Sequence, residues 1–188
     1  MSSNAEKRDR LIEIIRTRSL QTGEEITLAS GRKSSFYFNM KPTMMSAEGA
    51  SIIASLVLDN VSDLEADLIG GLEMGAVPLA ASVAAISHAQ GRPLNSFFVR
   101  KAAKDHGTQS LIEGLAKGES MSGKRVIIIE DVTTTGGSSI KAAEVLRAEG
   151  AEILRVVTIV DREEGAFDAF AAAGLELSPI LKTTDFAD

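Results

Sequence analysis

Short apolar segments alternate with helical segments along residues 67–181, and this alternation constrains the fold more than any other feature of the sequence. The apolar segments are rich in β-branched residues and almost uninterrupted, which is typical of strands covered on both faces. Strands separated by helices form βαβ units and a parallel sheet. The predicted strands lie at 67–71, 95–99, 125–129, 153–160 and 175–181, and the predicted helices at 76–89, 138–149 and 163–173. The sequence therefore predicts an α/β fold with a central parallel sheet flanked by helices.

The first 45 residues have a different pattern and are predicted to form a small cap on this core. The elements expected there are a helix over 5–18, an alternating segment from Glu25 through Leu28, a turn at Ser30–Gly31, a strand at 36–38 and a helix with Ser46 as its N-cap. A chain of 188 residues has the length of one domain. We therefore expect a single domain, residues 1–188, in which residues 1–45 are the cap.

Composition excludes several classes of function. The absence of cysteine excludes thiolate catalysis, cysteine zinc sites and disulfide frameworks, and two histidines exclude a His-rich metal cage. A net charge of −6 and an aromatic content of 4% argue against a nucleic-acid binder. Charges recur along the first residues, so no signal peptide is expected, and the charge-free stretch 74–91 is interpreted as a packed helix because Gly75, Pro78 and His88 interrupt it. We expect a cytoplasmic protein with neither a nucleic acid nor a membrane as partner.

The segment from Glu130 to Ser139 is the strongest functional signal. In open parallel sheets, ligands bind beyond the carboxyl ends of the strands. Two adjacent carboxylates, Glu130 and Asp131, follow the predicted strand 125–129, and they can accept hydrogen bonds from ribose hydroxyls or hold a hydrated Mg²⁺. Hydroxyl and glycine residues then lead into a helix N-terminus, which favours a phosphate; they are Thr133, Thr134, Thr135, Gly136, Gly137 and Ser138. The pattern indicates a phosphoribose site, and the alternative is an ordinary capped strand-to-helix loop. It is neither a Walker A loop, which needs a Lys after the glycines, nor GxGxxG.

A positively charged loop and a single arginine also follow predicted strands. The loop 100–107 carries three fixed positive charges in an acidic protein, and a cationic lid over a diphosphate would need such a loop, although solvated surface loops are also charged. Arg162 follows the strand 153–160 and can pair with a substrate carboxylate or carbonyl. The alternative is a solvated Arg beside its three acidic neighbours, Asp161, Glu163 and Glu164.

These segments resemble a known family. EDVTTTGGSS at 130–139 is similar to the PRPP-binding motif of the type I phosphoribosyltransferases. RKxxKxHG at 100–107 and SGRKSSFYFN at 30–39 resemble the orotate phosphoribosyltransferase branch of that family. The resemblance implies a type I phosphoribosyltransferase fold with an N-terminal hood (1–45) over the base site and a mobile catalytic loop (100–118). It also implies transfer of the phosphoribosyl group from PRPP to orotate, giving orotidine 5′-monophosphate and diphosphate in pyrimidine (UMP) biosynthesis.

The same resemblance implies roles for individual residues. Those implied to be catalytic are Lys101, Lys104 and Asp131. Those implied to bind PRPP are Arg100, Lys101, Lys104, His106, Glu130, Asp131, Val132, Thr133, Thr134, Thr135, Gly136, Gly137 and Ser138. Those implied to bind orotate are Thr134, Arg162, Tyr37, Phe38 and Lys33. Mg²⁺ is implied as cofactor, carried mainly by PRPP and diphosphate and without an assigned protein ligand. A homodimer is implied, in which Lys101 and its loop reach the neighbouring subunit's site.

Two positions depart from the family pattern, since some members have a Lys where this chain has Ala29 and Met74. Both departures remove charge from the diphosphate side, so the cations of the loop are expected to contribute more. Three alternatives stay open at this point: a purine-base phosphoribosyltransferase, a PRPP-sensing regulator without catalysis, and a phosphosugar-binding α/β domain of unrelated chemistry.

Overall fold

A six-stranded sheet forms the centre of the protein. The computed structural model describes residues 3–27, 33–102 and 110–187, except for the side chains of 24–27 and 33–35. The strands of this sheet lie in the order β5-β4-β3-β6-β7-β8. Neighbouring strands are parallel apart from β5, which pairs antiparallel with β4. Their bounds are β3 Leu68–Leu72, β4 Asn95–Val99, β5 Ile112–Glu113, β6 Arg125–Thr133, β7 Glu152–Asp161 and β8 Leu177–Lys182.

Helices cover both faces of this sheet. Successive side chains of the central strand β6 point to opposite sides, so its apolar residues are buried on both faces. Ile127 and Ile129 belong to one core cluster, which also contains apolar residues of α1 (Asn4–Arg18), α3 (Ala47–Asn60) and α4 (Ala76–Ala89). Ile128 belongs to a second cluster with residues of α5 (Gly137–Ala148) and α6 (Ala166–Ala172). The predicted α/β class with a parallel sheet flanked by helices is confirmed.

The N-terminal segment adds a helix and a hairpin to the first face. Helix α1 begins after Ser3, which forms a capping box with Glu6. Strand β1 (Leu20–Thr27) pairs antiparallel with β2 (Lys33–Phe38), and the short helix α2 (Lys41–Met44) follows. The predicted N-cap Ser46 accepts a hydrogen bond from the Gly49 N–H at 3.1 Å. The predicted turn at Ser30–Gly31 lies outside the described residues.

Phe38 and the α2 region are buried in the same core cluster as the sheet. The hairpin and α2 are therefore packed onto the α/β core. A one-turn 3₁₀ helix, Thr183–Phe186, ends the described chain on this side, and its Phe186 is buried in that cluster too. None of the helices in the described part of the chain combines the length and the apolar composition that a bilayer span needs.

Several predicted bounds are wrong. The helix predicted at 163–173 begins only at Ala166, because Glu163 (φ +58°) and Gly165 (φ +96°) adopt left-handed conformations that end helical geometry. The loop predicted over 100–118 contains the short strand β5, which covers the edge of β4. Strand β6 runs four residues beyond the predicted end at 129, since its last residues still pair with β7.

Candidate active site

The carboxylate pair lies on the last part of β6, at the carboxyl edge of the sheet. Pairing of Val132 with Val160 extends β6 beyond the two acids. Glu130 is 8% exposed, and its Oε2 accepts a hydrogen bond from Ser139 Oγ at 3.0 Å. Asp131, the next residue, is half-buried. Neighbouring strand residues point to opposite faces, so the two carboxylates differ in their surroundings although they are adjacent in sequence.

Burial, and after it the nearby Asp131 carboxylate, raise the pKa of Glu130 to about 8. The Ser139 hydroxyl stabilises the ionised form and opposes part of this shift. Glu130 therefore holds its proton near neutral pH until a cation or further hydrogen-bond donors approach it.

The loop between β6 and α5 presents backbone N–H groups at a helix N-terminus. Gly136 is the N-cap residue with φ +84°, a conformation that glycine adopts without strain. A Cβ atom at this position would lie 3.0 Å from the ring of Phe170, which is fully buried beneath the loop. Thr135, Gly137 and Ser138 are exposed. The first N–H groups of a helix have no intrahelical acceptor, so this loop is suited to an anion.

Thr133 begins this loop and is itself buried, with 2% of its surface exposed. Its Oγ1 has no hydrogen-bond partner among the described residues. A buried hydroxyl without a partner is unfavourable, so this group is left unsatisfied by the described residues.

A second loop, residues 73–75 between β3 and α4, lies against the acid pair. Gly75 is so close to Asp131 that a Cβ atom added to it would lie 2.6 Å from Asp131 Oδ1. Glu73 Oε1 accepts a hydrogen bond from the Lys101 N–H at 2.9 Å. The loop therefore connects the acid pair to the start of the cationic segment. Met74, where some family members have a Lys, is 63% exposed.

Of the cationic loop 100–118, the structure describes residues 100–102 and 110–118. Arg100 Nη1 lies 3.8 Å from Glu113 Oε1, and the Arg100 N–H donates to the Leu111 carbonyl at 2.7 Å. Lys101 is exposed. The predicted site residues Lys104 and His106 lie outside the described residues, as do Ala29 and the side chain of Lys33.

Arg162 is buried at the end of β7 with 7% of its surface exposed. The Arg162 backbone N–H donates to the Thr133 carbonyl at 2.8 Å. This bond joins Arg162 to the start of the loop between β6 and α5. Its Nη2 lies 2.7 Å from Glu164 Oε1, and its guanidinium carbon lies 5.9 Å from the centroid of the Phe38 ring. The alternative of a solvated Arg162 is wrong, because these contacts remove the side chain from water.

The two aromatic residues predicted to bind the base differ in exposure. Tyr37 is 38% exposed, whereas Phe38 is 6% exposed. The Phe38 ring packs edge-on against Phe186, with ring centroids 5.1 Å apart and an interplanar angle of 65°. Phe38 therefore contacts Arg162 from within the core. Thr134, the residue after Thr133, is half-buried.

Three contacts of this region were not predicted from the sequence. Gly75 contacts Asp131, Phe170 underlies Gly136, and Glu164 pairs with Arg162. Only the third had a local signal, since it lies two residues after Arg162 at a strand end. The other two depend on contacts between distant segments.

Comparison with known proteins identifies the family. Residues 43–171 match the phosphoribosyl transferase domain. The orotate phosphoribosyltransferase of Rhodopseudomonas palustris (strain TIE-1) is 57% identical over 184 residues, which cover 98% of each chain. The chain belongs to the orotate phosphoribosyltransferase family. The predicted family and its class of enzyme, a phosphoribosyltransferase, are thereby confirmed.

Solved structures of this family have the same fold. The Mycobacterium tuberculosis H37Rv orotate phosphoribosyltransferase in complex with Fe(III) dicitrate is 36% identical, with a TM-score of 0.82 over 97% of this chain and 99% of that one. The same enzyme in complex with PRPP is 33% identical, with a TM-score of 0.78 over 96% and 98% of the two chains. The predicted type I phosphoribosyltransferase fold is confirmed.

Proposed function

We propose that this chain transfers the 5-phosphoribosyl group from PRPP to orotate, giving orotidine 5′-monophosphate and diphosphate in the pathway to UMP. The observation that carries the proposal is the hydrogen bond between Arg162 N–H and the Thr133 carbonyl. This bond joins the backbone of Arg162, whose side chain is buried, to the end of the strand that carries the acid pair and leads into the loop before α5. Membership of the orotate phosphoribosyltransferase family supports the same reaction.

The loop 133–138 is proposed to bind the 5′-phosphate. The exposed glycine and hydroxyl groups at the start of α5 supply its donors, and the unpartnered Thr133 Oγ1 gains a partner when the site fills. Glu130 and Asp131 accept hydrogen bonds from the ribose hydroxyls. As the bond to diphosphate breaks, positive charge develops on the ribose ring, and negative charge on the two carboxylates stabilises it.

The reaction needs no protein nucleophile. Displacement at the anomeric carbon requires that the orotate nitrogen and the leaving diphosphate lie on opposite sides of the ring. Catalysis then comes from positioning and from the charges around the ring, which agrees with the absence of cysteine.

Arg162 and Thr134 are proposed to bind orotate, with Tyr37 and Lys33 covering the base from the hood. A guanidinium pairs with a carboxylate through two parallel hydrogen bonds, and orotate carries such a carboxylate. Phe38 is buried against Phe186 and Arg162. We therefore propose that it holds the Arg162 side chain in place and does not itself contact the base.

Mg²⁺ is proposed to accompany PRPP. Carboxylate oxygens are ligands that Mg²⁺ accepts, and Glu130 with Asp131 could hold it through water or directly. The phosphates of PRPP and diphosphate are proposed to supply most of its ligands. When bound, the ion neutralises charge on the departing diphosphate.

The cationic loop 100–118 is proposed to close over the diphosphate, with Lys101, Lys104 and His106 facing it and Arg100 at its base. Closure keeps water from the ribose as charge develops. A homodimer, in which Lys101 and this loop reach the partner's site, completes the proposal. The cytoplasm is the proposed compartment, because PRPP and orotate are charged metabolites that do not cross membranes unaided.

An assay of orotate consumption by absorbance, with PRPP and Mg²⁺ present, tests this function. We expect diphosphate release with orotate and none with adenine, hypoxanthine or uracil. Release with a purine base in place of orotate would contradict the proposal in favour of a purine-base enzyme. PRPP binding without turnover of any base would favour a regulator.

A further inference from the structure

We propose that Glu164 is a positioning residue for orotate recognition, which it serves by holding the guanidinium of Arg162. This role rests on the proposed function, because Arg162 is assigned there to the orotate carboxylate. Glu164 itself is not required to touch the substrate.

The contact between the two side chains is short and shielded from water. Glu164 Oε1 lies 2.7 Å from Arg162 Nη2, and the two side chains are 18% and 5% exposed. Hydrogen bonds between charged groups are stronger than neutral ones, and a buried pair is weakly screened by solvent. Glu164 therefore restricts the plane in which the Arg162 guanidinium lies.

The backbone around Glu164 is bent in a way that directs this side chain inward. Glu163 has φ +58° and Gly165 has φ +96°, both in the left-handed region. The Glu163 N–H donates to Asp161 Oδ1 at 2.9 Å, which stabilises the bend. As a result Glu163 and Gly165 are exposed, whereas Glu164 between them is half-buried.

Two features separate this arrangement from an ion pair that serves stability alone. The left-handed conformation of Glu163 is unfavourable for a residue other than glycine, and such conformations concentrate at functional sites. In addition, the second carboxylate oxygen, Glu164 Oε2, is buried and has no hydrogen-bond partner among the described residues. A buried acceptor without a donor is unfavourable, so this oxygen can accept a hydrogen bond from a group that enters the site.

Loss of Glu164 is expected to affect the binding of orotate and not that of PRPP. Loss of Glu164 frees the guanidinium to reorient, so orotate binding weakens. The groups assigned to PRPP lie on β6, on the loop after it and on the loop 100–118, and Glu164 belongs to none of these segments, so PRPP binding stays close to normal.

Three single variants test this role, with KM measured for each substrate in the presence of saturating co-substrate. Glu164→Ala is expected to raise the KM for orotate about ten-fold and to leave the KM for PRPP within about two-fold. Glu164→Gln retains an oxygen acceptor for Nη2 and is expected to raise the orotate KM only about three-fold. Glu163→Gln is the matched control: this neighbour is exposed, its Oε2 accepts the Thr184 N–H at 3.1 Å, and both KM values should stay within about two-fold.

A double variant distinguishes this role from the function on which it rests. Arg162→Ala is expected to raise the orotate KM about 100-fold, and Glu164→Ala in that background should change it no further. A second ten-fold rise, or a lowered melting temperature with an unchanged orotate KM in Glu164→Ala, would overturn the positioning role. If Glu164→Ala does not fold, an unchanged orotate KM in Glu164→Gln overturns it. An unchanged orotate KM in Arg162→Ala would instead remove the assignment of Arg162.

Discussion

The close approach of Gly75 to Asp131 predicts that a single methyl group at position 75 impairs catalysis. A Cβ atom added there would lie 2.6 Å from Asp131 Oδ1 and 2.8 Å from its Cγ, whereas ordinary contact begins at 3.4 Å. In Gly75→Ala, the Asp131 carboxylate must therefore move by about 0.8 Å. Asp131 is a short side chain that can rotate, so it yields before the backbone does.

The magnitude follows from this displacement. A misplacement of about 1 Å in a group that positions the substrate can cost roughly 100-fold in rate. We expect kcat/KM for PRPP to fall roughly 10- to 100-fold in Gly75→Ala. The free energy of unfolding should fall by roughly 0–2.6 kcal/mol, because overpacking costs about 1–3 kcal/mol and replacing glycine recovers about 0.4–1 kcal/mol from the unfolded chain.

Steady-state measurements of orotate consumption, together with thermal melts, check this expectation. Asp131→Ala supplies the matched background, because removal of the carboxyl group leaves room for the added methyl group. Gly75→Ala should therefore have almost no further effect on kcat/KM in an Asp131→Ala enzyme. A Gly75→Ala enzyme with kcat/KM within two-fold of the unmodified enzyme would refute the reasoning, and so would an equal loss in both backgrounds.

Three more predictions concern the acid pair and the cationic loop. The pKa of Glu130 is about 8 in the folded protein, compared with its usual 4.5. Between these two pH values the unfolded chain has lost a proton that the folded chain keeps, so the free energy of unfolding falls as pH rises from about 4.5 to about 8. Denaturation without ligands at pH 5 and pH 8 should show a smaller fall in Glu130→Gln than in the unmodified protein, and equal falls would contradict the buried, proton-holding carboxyl. Lys101→Ala and Asp131→Asn subunits, each weak alone, should regain part of their activity when mixed under conditions of subunit exchange, and no recovery would show that sites are not shared. Lys104→Ala should lower kcat more than it weakens PRPP binding, measured by single-turnover kinetics and equilibrium binding, and an unchanged kcat would argue against a lid.

Elements whose signal is local could be predicted closely from the sequence. The bounds of α4 and β4 coincide with the predicted 76–89 and 95–99, because an alanine-rich periodic run and a short apolar run each carry their own signal. The sequence also indicated that the acid pair and the loop after it lie near the carboxyl end of a strand, because an apolar run precedes them. The pair itself lies on β6. Ser46 caps α3 as predicted, because capping involves only the Gly49 N–H three residues later.

Features that depend on distant contacts could not be predicted in this way. The burial of Arg162 depends on Phe38, which is remote in sequence, and on a bend at Glu163 that a helical pattern over 163–173 concealed. The extra length of β6 depends on pairing with β7 and not on its own residues. The contact of Gly75 with Asp131 exists only because parallel strands bring their carboxyl ends to one edge.

The backbone hydrogen bond from the Arg162 N–H to the Thr133 carbonyl fixes the distance between the loop proposed to bind the 5′-phosphate and the turn proposed to bind orotate. Side chains at either loop can be exchanged while the span from sugar phosphate to base stays constant. In such a scaffold the pairing of β6 with β7 fixes the distance between the two proposed subsites. Which base binds then depends on a few side chains that can be substituted. New acceptor preferences can then arise by substitution on the turn after β7, without rebuilding the sheet that sets the distance.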